Sequence, residues 1–228
     1  MIKGGYELGS VLRLENVSFD YTTKAATVHA VKEASAEFHK GIFYAIVGRS
    51  GSGKSTLLSV IAGLELPCEG KIYYEDNLLS EIDRDRFRRE QVGLIFQSYY
   101  LLPQLTALEN VMSSLEISGY EGNKKERALS LLEKVGLSSI HGRKRVTELS
   151  GGEQQRIGIA RALAPNPNII LADEPTGNLD SENSSNIVNL LKQLAHEEDK
   201  CVIVITHAQE VAKEADQVLR MKDGRIEE

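Results

Sequence analysis

The chain has 228 residues, 41% hydrophobic and 26% charged, with 27 basic against 33 acidic side chains and a formal net charge of −6. A usual domain size of ~150 residues allows one large domain or a core with an insert, the apolar share excludes a disordered chain, and the acidic balance argues against a nucleic-acid binder held by bulk positive charge. No apolar run approaches the ~18 residues of a spanning helix, and residues 1–17 lack the apolar core of a signal peptide. The expectation is therefore a cytosolic chain that reaches a membrane only through a partner. Two cysteines, Cys68 and Cys201, are too few for a disulfide framework or a zinc site.

In chain order, residues 11–21 and 34–38 read as half-buried strands, the second alternating Ala34, Ala36 and Phe38 with Ser35 and Glu37. A short strand at 71–74 completes a small antiparallel β layer at the N-terminal end. The runs 42–47, 92–96, 169–173, 202–206 and 217–221 are apolar and β-branched, as strands of a parallel sheet covered by helices should be. Residues 81–90 hold four acids and four arginines, the composition of a solvated helix face. From Ser98 to about Ala164 the pattern is helical, with Ala128, Leu131, Leu132 and Val135 on one stripe and a second helix over 153–163. The expected organisation is a single α/β domain over 1–228, with a core at about 1–97 and 165–228 and an α-helical insert at about 98–164.

Gly48-Arg49-Ser50-Gly51-Ser52-Gly53-Lys54-Ser55 fits G-x-x-x-x-G-K-[ST] between an apolar strand and the helical run 55–62. Backbone N–H groups of such a loop turn inward around a polyphosphate, Lys54 reaches the outer phosphates, and Ser55 offers a hydroxyl to Mg²⁺. A dinucleotide fold is disfavoured, because Thr56 stands where a third small residue is expected. The run Ile169-Ile170-Leu171-Ala172-Asp173-Glu174 sets two acids at the carboxyl end of a strand. Asp173 suits a Mg²⁺ site and Glu174 a general base for water. His207 and Gln97 each stand just past an apolar strand. His207 is a candidate γ-phosphate sensor or orienter of Glu174, and Gln97 a candidate ligand of Mg²⁺ or water.

Leu149-Ser150-Gly151-Gly152-Glu153-Gln154-Gln155-Arg156 opens a second helix whose N-terminus suits an anion. One nucleotide does not need two such termini from one chain. Ser150 and Gly152 are therefore expected to face a triphosphate held by a second copy, in a head-to-tail dimer.

The order of phosphate loop, Gln97, LSGGEQQR, Asp173-Glu174, Asp180 and His207 resembles the ATP-binding cassette (ABC) ATPases, from about residue 11 to residue 228. The resemblance implies a P-loop NTPase fold with a RecA-like core, ATP and Mg²⁺ as cofactors, and ATPase activity. It implies that Gly48, Ser50, Gly51, Ser52, Gly53, Lys54, Ser55 and Thr56 form Walker A, and that 169–173 forms Walker B. Gln97 would be the Q-loop, 177–180 the D-loop, His207 the switch histidine and Tyr21 the aromatic stacked on adenine. Ser150, Gly151, Gly152, Glu153 and Asp180 would complete the nucleotide site of the other copy, with Ser55, Gln97 and Asp173 around the metal. Lys54, Gln97, Glu174 and His207 would carry the catalysis. The implied partners are a second copy in an ATP sandwich, an integral membrane permease touched by residues 97–106, and a periplasmic or extracellular adaptor. The chain would sit on the inner face of the cell membrane through that permease.

The runs 173–180 and 101–111 look like the group containing the MacB macrolide exporter, the lipoprotein-releasing ATPase and the cell-division ATPase paired with an FtsX-type protein, whereas solute importers more often carry Ser-Ala in place of Gly177-Asn178. An end at Glu228 suggests a stand-alone subunit. Of three other functions, two would leave different marks in the sequence. A ribosome-acting or DNA-repair relative would carry two cassettes or a long coiled coil. A GTPase would need Asn-Lys-x-Asp, where Asn123-Lys124-Lys125-Glu126 ends in Glu. A nucleotide-gated regulator of an FtsX-like protein would use the same catalytic residues.

Overall fold

The computed structural model describes residues 10–23 and 26–227. The first nine residues of the segment read as lacking a signal-peptide core, and Glu228, lie outside the described residues. The elements run β1 (Leu12–Thr22), β2 (Thr27–Phe38), β3 (Phe43–Val47), α1 (Lys54–Ile61), β4 (Glu69–Tyr74), β5 (Asn77–Leu78), α2 (Arg84–Gln91) and β6 (Val92–Phe96). There follow α3 (Ala107–Ile117), α4 (Lys124–Lys134), α5 (Ser139–Gly142), a 3₁₀ turn at Val146–Glu148 and α6 (Gly151–Ala162). The chain continues with β7 (Ile169–Asp173), α7 (Ser181–His196), β8 (Cys201–Thr206), α8 (Gln209–Glu214), β9 (Gln217–Lys222) and β10 (Arg225–Glu227).

Two sheets result. One is antiparallel in the order β2-β1-β4-β5; the other has the order β10-β9-β3-β8-β7-β6 and is parallel from β9 to β6. Side chains two apart on a strand share a face, and both faces of the parallel sheet are covered. Ile169 and Leu171 of β7, with Cys201, Ile203 and Ile205 of β8, enter a core closed by β1, β2 and α1. Ile170, Ala172, Val202 and Val204 point the other way, into a core shared with α3, α4, α6 and α7. Each fully buried Ile or Leu there contributes ~1.5–3 kcal/mol, so the continuous apolar runs of β7 and β8 tolerate no change of face.

Three sequence-based boundaries move. The strand expected at 34–38 is the end of a twelve-residue β2, whose first part the irregular register of β1 and β2 hides. Residues 98–106, expected to begin the helical stretch, are irregular: Tyr99 and Tyr100 have φ of 59° and 45°. Buried Asn110 replaces their missing backbone partners, accepting from Leu102 N at 2.8 Å and donating to the Leu102 and Thr106 carbonyls at 3.2 and 3.0 Å. Arg161 donates to the carbonyls of Tyr99, at 2.8 Å, and Tyr100. The closing hairpin adds β10, and its Gly224 accepts from Lys32 N at 2.8 Å and donates to the Ser52 carbonyl at 3.1 Å.

Candidate active site

The register Val47↔Thr206, Asp173↔Ile205 and Phe96↔Asp173 aligns the ends of β3, β8, β7 and β6. Residues just beyond those ends therefore meet at the carboxyl edge of the sheet, where ligands bind in such folds. They line an open cleft of about 1120 Å³. Tyr21, Ser50, Gly51, Gly53, Lys54, Ser55 and Thr56 are among its lining residues, together with Gln97, Asp173, Glu174 and His207. Of the remaining expected site residues, Gly48, Ser52, Ser150, Gly151, Gly152, Glu153 and Asp180 do not line this cleft.

The phosphate loop is held from behind. Gly53 has φ of +100°, and a Cβ on it would lie 2.1 Å from the Ala30 carbonyl oxygen, so glycine is required by conformation and by space. Gly53 also caps α1 with no side-chain hydrogen bond, so the first-turn N–H groups have no side-chain cap. Lys54 is buried and donates from Nζ to the carbonyls of Gly48 and Arg49 at 2.9 and 3.0 Å. Buried Ser52 Oγ has no hydrogen-bond partner. A buried cation bound only to carbonyls, beside a helix N-terminus with no side-chain cap, fits a polyphosphate. Tyr21 stands half-exposed at the cleft's edge, edge-on to Phe19, with Oη 3.4 Å from Thr56 Oγ1.

Across the cleft, burial raises the Asp173 carboxyl above its ordinary range, opposed by a hydrogen bond from Ser55 and by the charge of Lys54. An acid, a hydroxyl and the Gln97 amide are hard oxygen donors, the chemistry Mg²⁺ takes. Glu174 has φ of +48°, held by its N–H donating to the Ile205 carbonyl at 2.9 Å. Its carboxylate accepts from His207 Nδ1 at 2.7 Å, from Thr206 Oγ1 at 3.2 Å and from His207 N at 3.4 Å. His207 is thus joined to Glu174 through both its ring and its backbone N–H.

The second expected anion site stands apart. Ser150 caps α6 in a reciprocal box: Glu153 N donates to Ser150 Oγ at 3.3 Å, and Glu153 Oε2 accepts from Ser150 N and Oγ at 2.7 and 2.8 Å. Those bonds hold the Glu153 carboxyl below its usual range. A Cβ on Gly152 would lie 2.6 Å from Asn183 Oδ1, so packing within the chain already explains that glycine. Asn183 is in turn held by Asp180, which caps α7 by accepting from Asn183 N at 2.8 Å. Asn110 and Arg161 carry no role in the sequence reading, and Asn178 enters it only as part of the 173–180 run, without its bond to Gln97. The signal for each is a tertiary contact with an irregular segment, which no spacing rule displays.

A model of the family described as ABC transporter matches residues 31–177. The chain is 45% identical over 216 residues to the uncharacterized ABC transporter ATP-binding protein YclH of Bacillus subtilis, covering 94% of this chain and 95% of that protein. It is 43% identical to the lipoprotein-releasing system ATP-binding protein LolD 2 of Rhodopirellula baltica, over 84% of this chain and 78% of that one. Among solved structures, the ATP-binding cassette MJ0796 of Methanocaldococcus jannaschii, dimeric in a post-hydrolysis state bound to ADP and Pi, matches with a TM-score of 0.87 and 40% identity, covering 95% of this chain and 97% of that chain. The chain belongs to the ABC transporter family, and it is an ATPase built on an ATP-binding cassette. No helix among the described residues is long and apolar enough to cross a membrane.

Proposed function

We propose that this chain is the nucleotide-binding subunit of a transporter complex, hydrolysing ATP to drive a separate membrane permease of the type served by the lipoprotein-releasing and MacB-like ATPases. The observation that carries this reading is the separation of two anion-binding elements: Lys54 and Glu174 line one cleft, and Ser150 does not. Such an arrangement calls for a second copy to bring its Ser150 and Gly152 over the bound triphosphate. The dimeric state of the similar cassette MJ0796 supports it.

In this mechanism Lys54 and the loop N–H groups hold the phosphates, and Tyr21 provides a flat face for the adenine. Ser55, Gln97 and Asp173 would hold Mg²⁺, which neutralises charge on the outer phosphates when bound. Glu174 takes a proton from the attacking water, and His207 keeps its carboxylate aimed. Hydrolysis lets the two copies part, and the 97–106 segment passes that motion to the permease. The proposed location is the cytoplasmic face of the membrane, through the permease, with an extracytoplasmic adaptor as a further partner.

The test is reconstitution. The chain should bind a co-encoded four-helix permease with a large extracytoplasmic domain, and its ATPase rate should rise in proteoliposomes containing it. Failure to bind any co-encoded membrane protein would overturn the coupling. Stimulated hydrolysis with no cargo moved would replace export by a nucleotide-gated regulator of FtsX type.

A further inference from the structure

Gln97 and Asn178 are joined by two amide bonds running in opposite directions. Gln97 Nε2 donates to Asn178 Oδ1 at 3.3 Å, and Asn178 Nδ2 donates to the Gln97 backbone carbonyl at 3.2 Å. The pairing fixes both orientations. A carbonyl only accepts, so the Asn178 nitrogen must face it; the Asn178 oxygen then faces Gln97, which must answer with its own nitrogen. The side-chain oxygen of Gln97 is left out of the pair.

Gly177 makes room for this arrangement. A Cβ at position 177 would lie 2.8 Å from Gln97 Nε2 and 3.1 Å from Gln97 Cδ, so any side chain there would displace the amide. The same turn reaches Glu174, whose carbonyl accepts from Gly177 N at 3.1 Å. One short loop therefore carries the base at one end and the partner of Gln97 at the other.

We propose that Asn178 is a positioning residue: by engaging the nitrogen of the Gln97 amide, it presents the oxygen to the cation that Gln97 shares with Ser55 and Asp173. Magnesium takes oxygen and rejects an amide nitrogen as a ligand, so a freely flipping Gln97 would offer the wrong atom part of the time. The two bonds lie at the long end of the hydrogen-bond range, which suits a restraint that orients without locking. Asn178 also sits between the catalytic turn and Asp180, so a second copy pressing on residues 177–180 would bear on the cation site through one amide. This inference rests on the reading of Gln97 as a metal ligand.

The experiment is equilibrium binding of a fluorescent, non-hydrolysable ATP analogue, titrated with Mg²⁺. Asn178→Ala should raise the Mg²⁺ concentration at half-saturation about fivefold, the size of one net hydrogen bond, and leave affinity without Mg²⁺ unchanged. Both residues are exposed, so the variants should fold, and thermal melting checks that they do. In a Gln97→Ala background the Asn178→Ala effect should vanish. An unchanged Mg²⁺ requirement in Asn178→Ala, or an equal effect in both backgrounds, overturns the positioning role. If Gln97→Ala itself leaves the Mg²⁺ requirement unchanged, the ligand reading fails and this inference falls with it.

Discussion

The two anion-binding helix starts of this chain are built on opposite plans. At α1 the donors are left open: Gly53 caps the helix with no side-chain bond, Ser52 Oγ has no partner, and Lys54 finds only carbonyls. At α6 the donors are closed by the chain itself, through the Ser150–Glu153 box and the Glu153 contact with His141 at 3.2 Å. An open terminus is shaped for its ligand before the ligand arrives. A self-capped one is stable alone and must exchange bonds when something docks on it. In the proposed dimer the first would serve as a binding site in a single chain, and the second as a contribution to another chain's site.

Substitutions can sharpen or break that contrast. The largest effect should come from Glu174→Gln, which removes the proposed base: steady-state turnover should fall by roughly 10²–10⁴, with an ATP-bound dimer visible by size exclusion. A variant that stays monomeric and hydrolyses normally would refute the base. Lys54→Ala should lower turnover by about 10²–10³ and weaken nucleotide binding as well, since it removes the charge at the open terminus. Ser150→Ala provides the direct comparison. Nucleotide affinity of the single chain should stay within about twofold, while turnover falls at least tenfold and the dimer is lost, against a cap loss of ~1 kcal/mol in stability. Equal losses of affinity in Lys54→Ala and Ser150→Ala would erase the distinction between the two termini.

Tyr21→Ala should weaken ATP about 3- to 10-fold by equilibrium binding and leave the rate at saturating ATP nearly unchanged. The smallest effect lies outside the cleft. Burial alone would raise the Asp216 carboxyl, but hydrogen bonds from His196 and from Phe43 N hold it below its ordinary value of 3.8. Because the folded value is depressed, the stabilisation is present above 3.8 and is lost as pH falls through the folded value. Asp216→Asn should lower the melting temperature at neutral pH by about 2–4 °C and flatten its fall in acid.

Much of this architecture is legible in the residues, and the illegible parts have physical causes. The strands β3, β6, β7 and β8 announce themselves because both faces are buried, which demands unbroken apolar runs. The cleft residues are visible because chemistry placed just past a strand end lands on one sheet edge. Alternation fails for the first half of β2 because its register with β1 shifts between Phe19 and Asp20 and Thr27, Val28 and His29 are all exposed. Residues 98–106 mislead because side chains outside the segment, Asn110 just beyond it and Arg161 far along the chain, bond to its backbone. Asn178 is hidden for the same reason: its partner lies 81 residues earlier.

The hairpin joining β9 to β10 bears on how the chain meets its nucleotide. Gly224 bridges Lys32 and Ser52, and Gly53 rests against Ala30, so the loop is clasped between the two sheets. Its conformational freedom is lost when the protein folds rather than when ATP arrives. Calorimetry of nucleotide binding should accordingly record little ordering of the backbone, and loosening the clasp at Gly224 should appear as an entropic loss of affinity with the phosphate contacts intact.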